Sequence, residues 1–149
     1  MSETTNLGEL AFTRVYQAPL ELMFSVMTEP EHLSHFWGPI GVTTPIENIT
    51  VEPKVGGRFE TIMVNDENGE EYTMRGVFTE FDAPNRLAWT EADVEGGMLT
   101  TITFTDLGDG TTETFTHQTN VPEFFRSEEA QAGMQTSFVK CDAYLLTIQ

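Results

Sequence analysis

Residues 128–149 read EEAQAGMQTSFVKCDAYLLTIQ and carry the most regular pattern in this chain. Small and apolar side chains recur there at spacings of three and four: Ala130, Gly133, Met134, Ser137, Phe138, Cys141, Tyr144, Leu145 and Ile148. Residues at i, i+3, i+4 and i+7 lie on one face of an α-helix, so the pattern predicts an amphipathic helix of about 20 residues. The apolar stripe of this helix must be covered by the rest of the chain.

The segment before this helix predicts a series of antiparallel strands. Turn residues such as Asp66-Glu67-Asn68-Gly69 and Glu95-Gly96-Gly97 separate short runs that favour strands. The predicted strands span residues 46–51, 58–65, 71–81, 86–94, 98–105 and 111–120. Successive hairpins are typical of a sheet with one buried face, and we expect that face to cover the helix.

The first forty residues predict one strand followed by two short helices. Alternation from Gly8 to Gln17 indicates the strand, and Pro19 suits the first turn of a helix over residues 19–27. Thr28-Glu29-Pro30-Glu31 resembles a capping box with Thr28 as N-cap of a second helix, which ends before Gly38-Pro39. The predicted order β-α-α-β5/6-α defines an α+β fold in which a curved antiparallel sheet wraps around a long C-terminal helix.

Composition limits the classes of partner. The 149 residues suit a single domain over 1–149, and we expect residues 1–7 to be flexible. The net charge of -17 repels phosphate backbones and anionic lipids, so we expect neither nucleic acid nor a membrane as partner. The single cysteine, Cys141, and an N-terminus without a basic and apolar leader predict a cytoplasmic protein.

Several short motifs in order carry a family resemblance. They are Arg14 ahead of Ala18-Pro19, Thr28-Glu29-Pro30-Glu31-His32-Leu33, Phe36-Trp37-Gly38-Pro39, Gly56-Gly57-Arg58-Phe59, Gly69, Arg75-Gly76-Val77, Pro84-Asn85-Arg86-Leu87, Thr101-Ile102-Thr103-Phe104, Gly110-Thr111 and Gly133-Met134. From about residue 8 onward the chain resembles the START-like, helix-grip (SRPBCC) superfamily. Within it, the chain resembles the activators of the ninety-kilodalton heat-shock protein's ATPase. The resemblance implies a helix-grip fold with a deep cavity, which different members use for lipids, polyketides, hormones or catalysis.

Large and adaptable apolar side chains predict that this cavity binds a small hydrophobic or amphipathic molecule. The residues expected to contact the ligand are Trp37, Phe59, Met63, Met74, Trp89, Phe104, His117, Met134 and Phe138. The alternative is that these side chains fill an ordinary core.

Two other functions stay open at this point. A START-like enzyme, either a hydrolase or a cyclase-like catalyst, would use His117 as its base, although a solvent-facing strand histidine fits the same position. The resemblance also implies a protein-interaction module that contacts a chaperone. We expect either a monomer or a homodimer.

The sequence predicts neither a metal nor a cofactor. His32 and His35 are spaced for one helix face, but no third ligand accompanies them. No nucleophile elbow, phosphate loop or dinucleotide fingerprint is present. Cys141 lies on the apolar stripe and is predicted to be an inert packing residue.

Overall fold

A computed structural model describes residues 7–94 and 97–149. Its strands are β1 (Leu7–Tyr16), β2 (Val42–Thr43), β3 (Ile49–Val51), β4 (Arg58–Asn65), β5 (Glu71–Asp82), β6 (Arg86–Glu91), β7 (Met98–Gly108) and β8 (Thr111–Pro122). Its helices are α1 (Leu20–Val26), α2 (Pro30–Leu33) and α3 (Glu128–Thr147). The α+β prediction is confirmed. Leu7 begins β1, and the other residues predicted to be flexible, 1–6, lie outside the described residues.

The strands form one antiparallel sheet in the order β1-β8-β7-β6-β5-β4-β2, with β3 also paired to β4. Each of the strands β4 to β7 pairs with the next one along the chain. The first strand, β1, instead pairs with the last strand, β8. This pairing brings the first and last strands together at one side of the sheet. The short strands β2 and β3 occupy the other side.

The long helix α3 packs its predicted stripe toward the sheet. Ser127 caps the helix, because its side-chain oxygen accepts a hydrogen bond from the Ala130 backbone N–H at 3.1 Å. Cys141 and Leu145 are fully buried in the second half of the helix. Ile148 lies just beyond the helix end, where it is partly exposed. Burial is therefore tightest toward the C-terminal half of α3.

The two short helices close one part of the interior. Their buried side chains pack into one apolar core with the sheet, and this core includes Met23, Phe24, Val26, Leu33, Phe36, Phe59, Phe78, Leu87, Ile102 and Phe104. Phe24 on α1 contacts Phe104 on β7, with ring centroids 5.1 Å apart. The interior between α3 and the rest of the concave face is left less tightly filled.

Several predicted boundaries change. Thr28 does not cap α2; its hydroxyl donates to the Phe24 carbonyl at 2.8 Å and so ends α1, whereas Glu29 occupies the N-cap without a side-chain bond. Residues 46–51 divide into a 3₁₀ turn, Ile46–Asn48, and the short strand β3. The strand predicted over 86–94 ends at Glu91, while β7 and β8 extend further than predicted. The predicted hairpin turn at 95–97 lies partly outside the described residues.

Within the described chain, α3 and the other helices are all too short or too polar to cross a membrane.

Candidate functional site

A cavity of about 480 Å³ lies between α3 and the concave face of the sheet. Residues from β1, β4 to β8, the end of α1, the loop after α2 and the first half of α3 line it. They are Phe12, Arg14, Tyr16, Met27, Trp37, Gly38, Pro39, Met63, Met74, Trp89, Glu91, Thr100, Ile102, Thr114, Thr116, Gln118, Glu129, Ala130, Gly133, Met134, Ser137 and Phe138. The volume falls within the range typical of pockets for drug-sized molecules.

Flexible and aromatic side chains form most of the cavity wall. Met63 and Met74 project from β4 and β5, and Met134 projects from α3. At the β1 side, the rings of Phe12 and Phe138 lie 5.3 Å apart. Unbranched thioether side chains adapt to irregular shapes, so this wall can adjust to ligands of different outline.

Arg14 is a charged group in this mainly apolar wall. Its Nη2 donates to Asp142 Oδ2 on α3 at 2.6 Å, and its guanidinium lies over the rings of Tyr16 and Phe138. Its Nε atom is buried and has no hydrogen-bond partner among the residues that the structure describes. The ion pair joins β1 to α3 beside the cavity and leaves one buried donor unused.

A second polar group, Glu91, lies at the end of β6. Its side chain is largely buried and accepts a hydrogen bond from Trp89 Nε1 at 3.2 Å. Burial raises the pKa of the Glu91 carboxyl, and the Trp89 hydrogen bond offsets only part of that effect. Close by along the sheet, Gln118 Nε2 donates to Thr100 Oγ1 at 3.2 Å. This end of the cavity therefore combines a buried carboxyl with neutral hydrogen-bonding groups.

Removing the ionisable group at Glu91 should stabilise the protein at alkaline pH. The folded state holds the Glu91 proton more tightly than the unfolded state, so folding stability falls as pH rises above the ordinary glutamate pKa. In Glu91→Gln the hydrogen bond from Trp89 is kept and this penalty is lost. We expect urea unfolding to show a larger free energy of unfolding for the variant at pH 8, and a smaller gain at pH 5. An equal gain at both pH values would contradict this assignment.

The loop after α2 is tied to α3 over one side of the cavity. Lys140 Nζ donates to the Pro39 carbonyl at 3.3 Å and to the Val42 carbonyl at 3.2 Å. The Ile40 backbone N–H donates to Thr136 Oγ1 at 3.0 Å. Burial lowers the Lys140 pKa, with Asp66 acting in the opposite direction. These contacts hold the Gly38-Pro39 wall of the cavity against the helix.

A smaller cavity of about 170 Å³ adjoins the first. Gln118, Ala130 and Met134 line both cavities, so these three residues lie where the two cavities meet. Leu10, Met98 and Phe125 complete the smaller cavity. A ligand that displaces the flexible Met134 side chain would reach from one space into the other.

The structure brings six of the nine predicted ligand-contacting residues to the cavity wall. They are Trp37, Met63, Met74, Trp89, Met134 and Phe138. The placement of the other three, Phe59, Phe104 and His117, differs from the prediction.

Phe59 and Phe104 belong to the packed core and do not line the cavity. Phe59 is 2% exposed and lies behind Trp37, with ring centroids 5.3 Å apart. It also contacts the rings of Phe78 and Trp89 at 5.5 and 4.9 Å. Phe104 is covered by Phe24. Both face inward, as predicted, but neighbouring aromatic rings fill the space in front of them.

His117 is on the opposite face of the sheet. Its Nε2 lies 2.8 Å from Glu9 Oε1, and its side chain is 41% exposed. Thr116 lines the cavity, so strand alternation directs His117 outward together with Phe115. His117 therefore does not line the cavity as expected of a ligand contact, and it occupies the solvent-facing position that the sequence also allowed.

The other reactive candidates have structural partners. His32 hydrogen-bonds the Tyr144 hydroxyl, and His35 stacks on the Tyr144 ring with centroids 4.4 Å apart. In the described residues no group of three or more His, Cys, Asp or Glu is placed to hold a metal ion. Burial raises the pKa of the Cys141 thiol to about 12, which keeps it in the protonated, weakly nucleophilic form at neutral pH.

The polar groups of the cavity were not predicted as site residues. Arg14 lies in the alternating pattern of β1, and this pattern was a usable signal because it places Arg14 on the same face as Phe12 and Tyr16. Glu91 had no comparable signal, since acidic residues occur throughout this chain. Thr114, Thr116 and Gln118 share with Thr112 a face of β8 that looks polar in sequence, whereas Thr100 shares its face of β7 with apolar residues.

A long C-terminal helix held by a curved antiparallel sheet, with a cavity between the two, defines a START-like protein of the helix-grip class. The chain belongs to the family described as activator of Hsp90 ATPase homolog 1-like protein, whose model matches residues 17–145.

Solved structures share this fold at low sequence identity. A protein from Chromobacterium violaceum has a TM-score of 0.81 and 24% identity, over 91% of this chain and 95% of that one. One from Rhodobacter sphaeroides has a TM-score of 0.84 and 19% identity, over 95% of each chain. An AHSA1-like protein from Aeromonas hydrophila has a TM-score of 0.78 and 19% identity, over 93% of this chain and 92% of that one. Among curated proteins there is no significant sequence match.

Proposed function

We propose that this protein binds a small hydrophobic or amphipathic molecule in the cavity between α3 and the sheet. The observation that carries the proposal is the size and composition of that cavity, about 480 Å³ with walls made mainly of methionine and aromatic side chains. Protein interiors are normally packed as densely as organic crystals, so a space of this size lacks many favourable contacts. A bound apolar molecule would restore them.

The arrangement of polar groups supports binding with a defined orientation. Arg14 and Glu91 are placed in different parts of the wall, while Met63, Met74 and Ile102 provide apolar surface. Ligand pockets commonly combine an apolar lining with a few polar groups that fix orientation. The polar groups in the wall would therefore select the direction in which an amphipathic molecule binds.

Binding is favoured over covalent catalysis by the state of the nucleophiles. The Cys141 thiol is buried and protonated, and the Ser137 hydroxyl donates to the Phe36 carbonyl at 3.2 Å. Activating a serine or cysteine needs a base within hydrogen-bond reach. His117, the base in the alternative of a START-like enzyme, faces away from the cavity. We therefore assign the cavity to reversible binding.

Filling the cavity from α3 should weaken binding of a neutral apolar dye. In Ala130→Phe, the larger ring would occupy the region shared by the two cavities, which overlaps the ligand volume. We expect the dissociation constant of N-phenyl-1-naphthylamine to rise about tenfold or more, in line with the usual cost of overpacking. Fluorescence titration measures this directly.

The matched control is Ala132→Phe, which places the same ring on the exposed side of the same helix. It should leave dye affinity within about twofold of the wild type. Equal weakening by both variants, or no saturable dye binding by the wild type, would refute cavity binding.

Chaperone contact, avoidance of nucleic acid and membranes, cytoplasmic location and a monomeric or homodimeric state stay predictions from the sequence.

A further inference from the structure

The strongest clue to the ligand's chemistry is the environment of Arg14. Asp142 accepts from Nη2, whereas the buried Nε has no hydrogen-bond partner within residues 7–94 and 97–149. A buried donor on a charged group is costly when it is left unpaired. A guanidinium has five N–H donors, so it can hold a second carboxylate while it keeps the first.

The position of Arg14 is unusual for a cation of this chain. The sequence contains only seven Lys and Arg residues. Arg58, Arg75 and Arg86 form exposed ion pairs with Glu52, Asp93 and Glu80 respectively. Among the described residues that line the larger cavity, Arg14 is the single cationic side chain. Within the described residues, Arg14 is therefore the cation that a ligand in this cavity would meet.

The opposite end of the cavity is acidic. Glu91 on β6 and Glu129 on α3 both line the wall. The strand pairing shows how far this end lies from Arg14. Glu91 pairs with Met98 on β7. Arg14 pairs with Thr114 on β8, which in turn pairs with Phe104 on β7. Met98 and Phe104 are six residue steps apart along β7, which corresponds to roughly 20 Å of strand. The cavity thus has a cationic end and an acidic end.

We propose that the ligand is an elongated monocarboxylic acid whose carboxylate binds the Arg14 guanidinium and whose other end, beside Glu91, is uncharged. This proposal rests on the proposed function and specifies its ligand class. The apolar side chains between the two ends contact the hydrocarbon part. Glu91, Gln118 and Thr100 accommodate a hydroxyl or carbonyl group at the far end.

The acidic end also makes the site selective. A second ligand carboxylate beside Glu91 either stays ionised and is repelled, or takes up a proton; both alternatives cost free energy near neutral pH. A dicarboxylic acid of the same length therefore binds more weakly than the monocarboxylic acid. A neutral ester loses the charge-assisted hydrogen bond to Arg14.

The test is displacement of N-phenyl-1-naphthylamine by three probes at pH 8: dodecanoate, methyl dodecanoate and dodecanedioate. For the wild type we expect dodecanoate to bind about tenfold or more tightly than either of the other two. Equal affinity for the acid and the ester would overturn the proposal. If the dye does not bind, the proposed function fails. If the dye binds but the acid and the ester displace it equally well, only the proposal on the ligand's carboxylate fails.

Three variants assign the selectivity to residues. Arg14→Gln should bring the affinities for dodecanoate and methyl dodecanoate within about threefold of each other. Asp142→Asn breaks the same ion pair from the other side and leaves Arg14 charged, so it should retain or increase the preference for the acid. Glu91→Gln should restore binding of dodecanedioate toward that of dodecanoate.

These variants also separate recognition from structural damage. Loss of acid preference in Asp142→Asn as large as in Arg14→Gln would mean that the ion pair acts only structurally, which contradicts the proposal. Unchanged discrimination against dodecanedioate in Glu91→Gln would contradict the acidic end. If Arg14→Gln fails to fold, the wild-type probe series and the other two variants still decide the question.

Discussion

Gly57→Ala should lower the free energy of unfolding by about 3 kcal/mol, since it forces atoms together in a turn that cannot yield. An added Cβ would lie 2.1 Å from the Glu52 carbonyl oxygen and 2.8 Å from the Glu52 Cβ. Backbone hydrogen bonds hold both sides of the turn: Gly57 N–H donates to Lys54, and the Gly57 carbonyl accepts from Phe78. Relieving the clash would break these bonds.

Urea denaturation of Gly57→Ala and Gly56→Ala provides the comparison. Gly56 has a positive φ of +83°, but an added Cβ would meet nothing within 4 Å. We expect Gly56→Ala to cost only about 1 kcal/mol, the usual penalty for a left-handed backbone in a residue with a side chain. A loss of unfolding free energy in Gly57→Ala no larger than in Gly56→Ala would contradict the close contact between Gly57 and Glu52 in the turn before β4.

Phe59→Ala should destabilise the protein by about 3 to 5 kcal/mol, because it removes a ring from the centre of the aromatic core. Trp37, Phe78 and Trp89 all contact this ring. None of them is free to close the space fully, since each is held by its own strand or loop. The substitution therefore leaves a void behind the cavity wall.

Met74→Ala, on the strand paired with β4, is the matched truncation at the cavity wall. Met74 is only partly buried and faces space that is already open, so we expect a loss below about 2 kcal/mol. Its larger effect should be on dye affinity, measured by the same fluorescence titration. A Met74→Ala variant as unstable as Phe59→Ala would show that the two residues belong to one packed core.

The sequence predicted the architecture because periodicity follows directly from backbone geometry. The stripe on α3 and the hairpin turns between β4 and β8 are local signals, and each element is long enough to show its period. The 3₁₀ turn at Ile46–Asn48 was missed because a three-residue element shows no period. Thr28 was misassigned because a threonine hydroxyl can equally bond back to the preceding turn.

The candidate site was harder to predict than the fold, because on β8 threonine side chains face inward and an apolar ring faces solvent. Thr112, Thr114 and Thr116 are buried on its inner face, whereas Phe115 on the outer face is 43% exposed. Alternation correctly places His117 on the same face of β8 as Phe115. The apolar ring of Phe115 suggests that this face is buried, but the face is exposed. Phe59 and Phe104 show a second limit: periodicity identifies the inward face without showing whether a packed ring or open space lies in front of it.

Methionine-methyl NMR tests the central claim of a ligand cavity most directly. Met27, Met63, Met74 and Met134 line the larger cavity, whereas Met23 is buried in the core outside its wall. Titration with N-phenyl-1-naphthylamine should shift those four methyl signals saturably through the ring currents of the dye and leave the Met23 signal nearly unchanged. Saturable binding that leaves the four signals in place, or the absence of binding, would contradict the account.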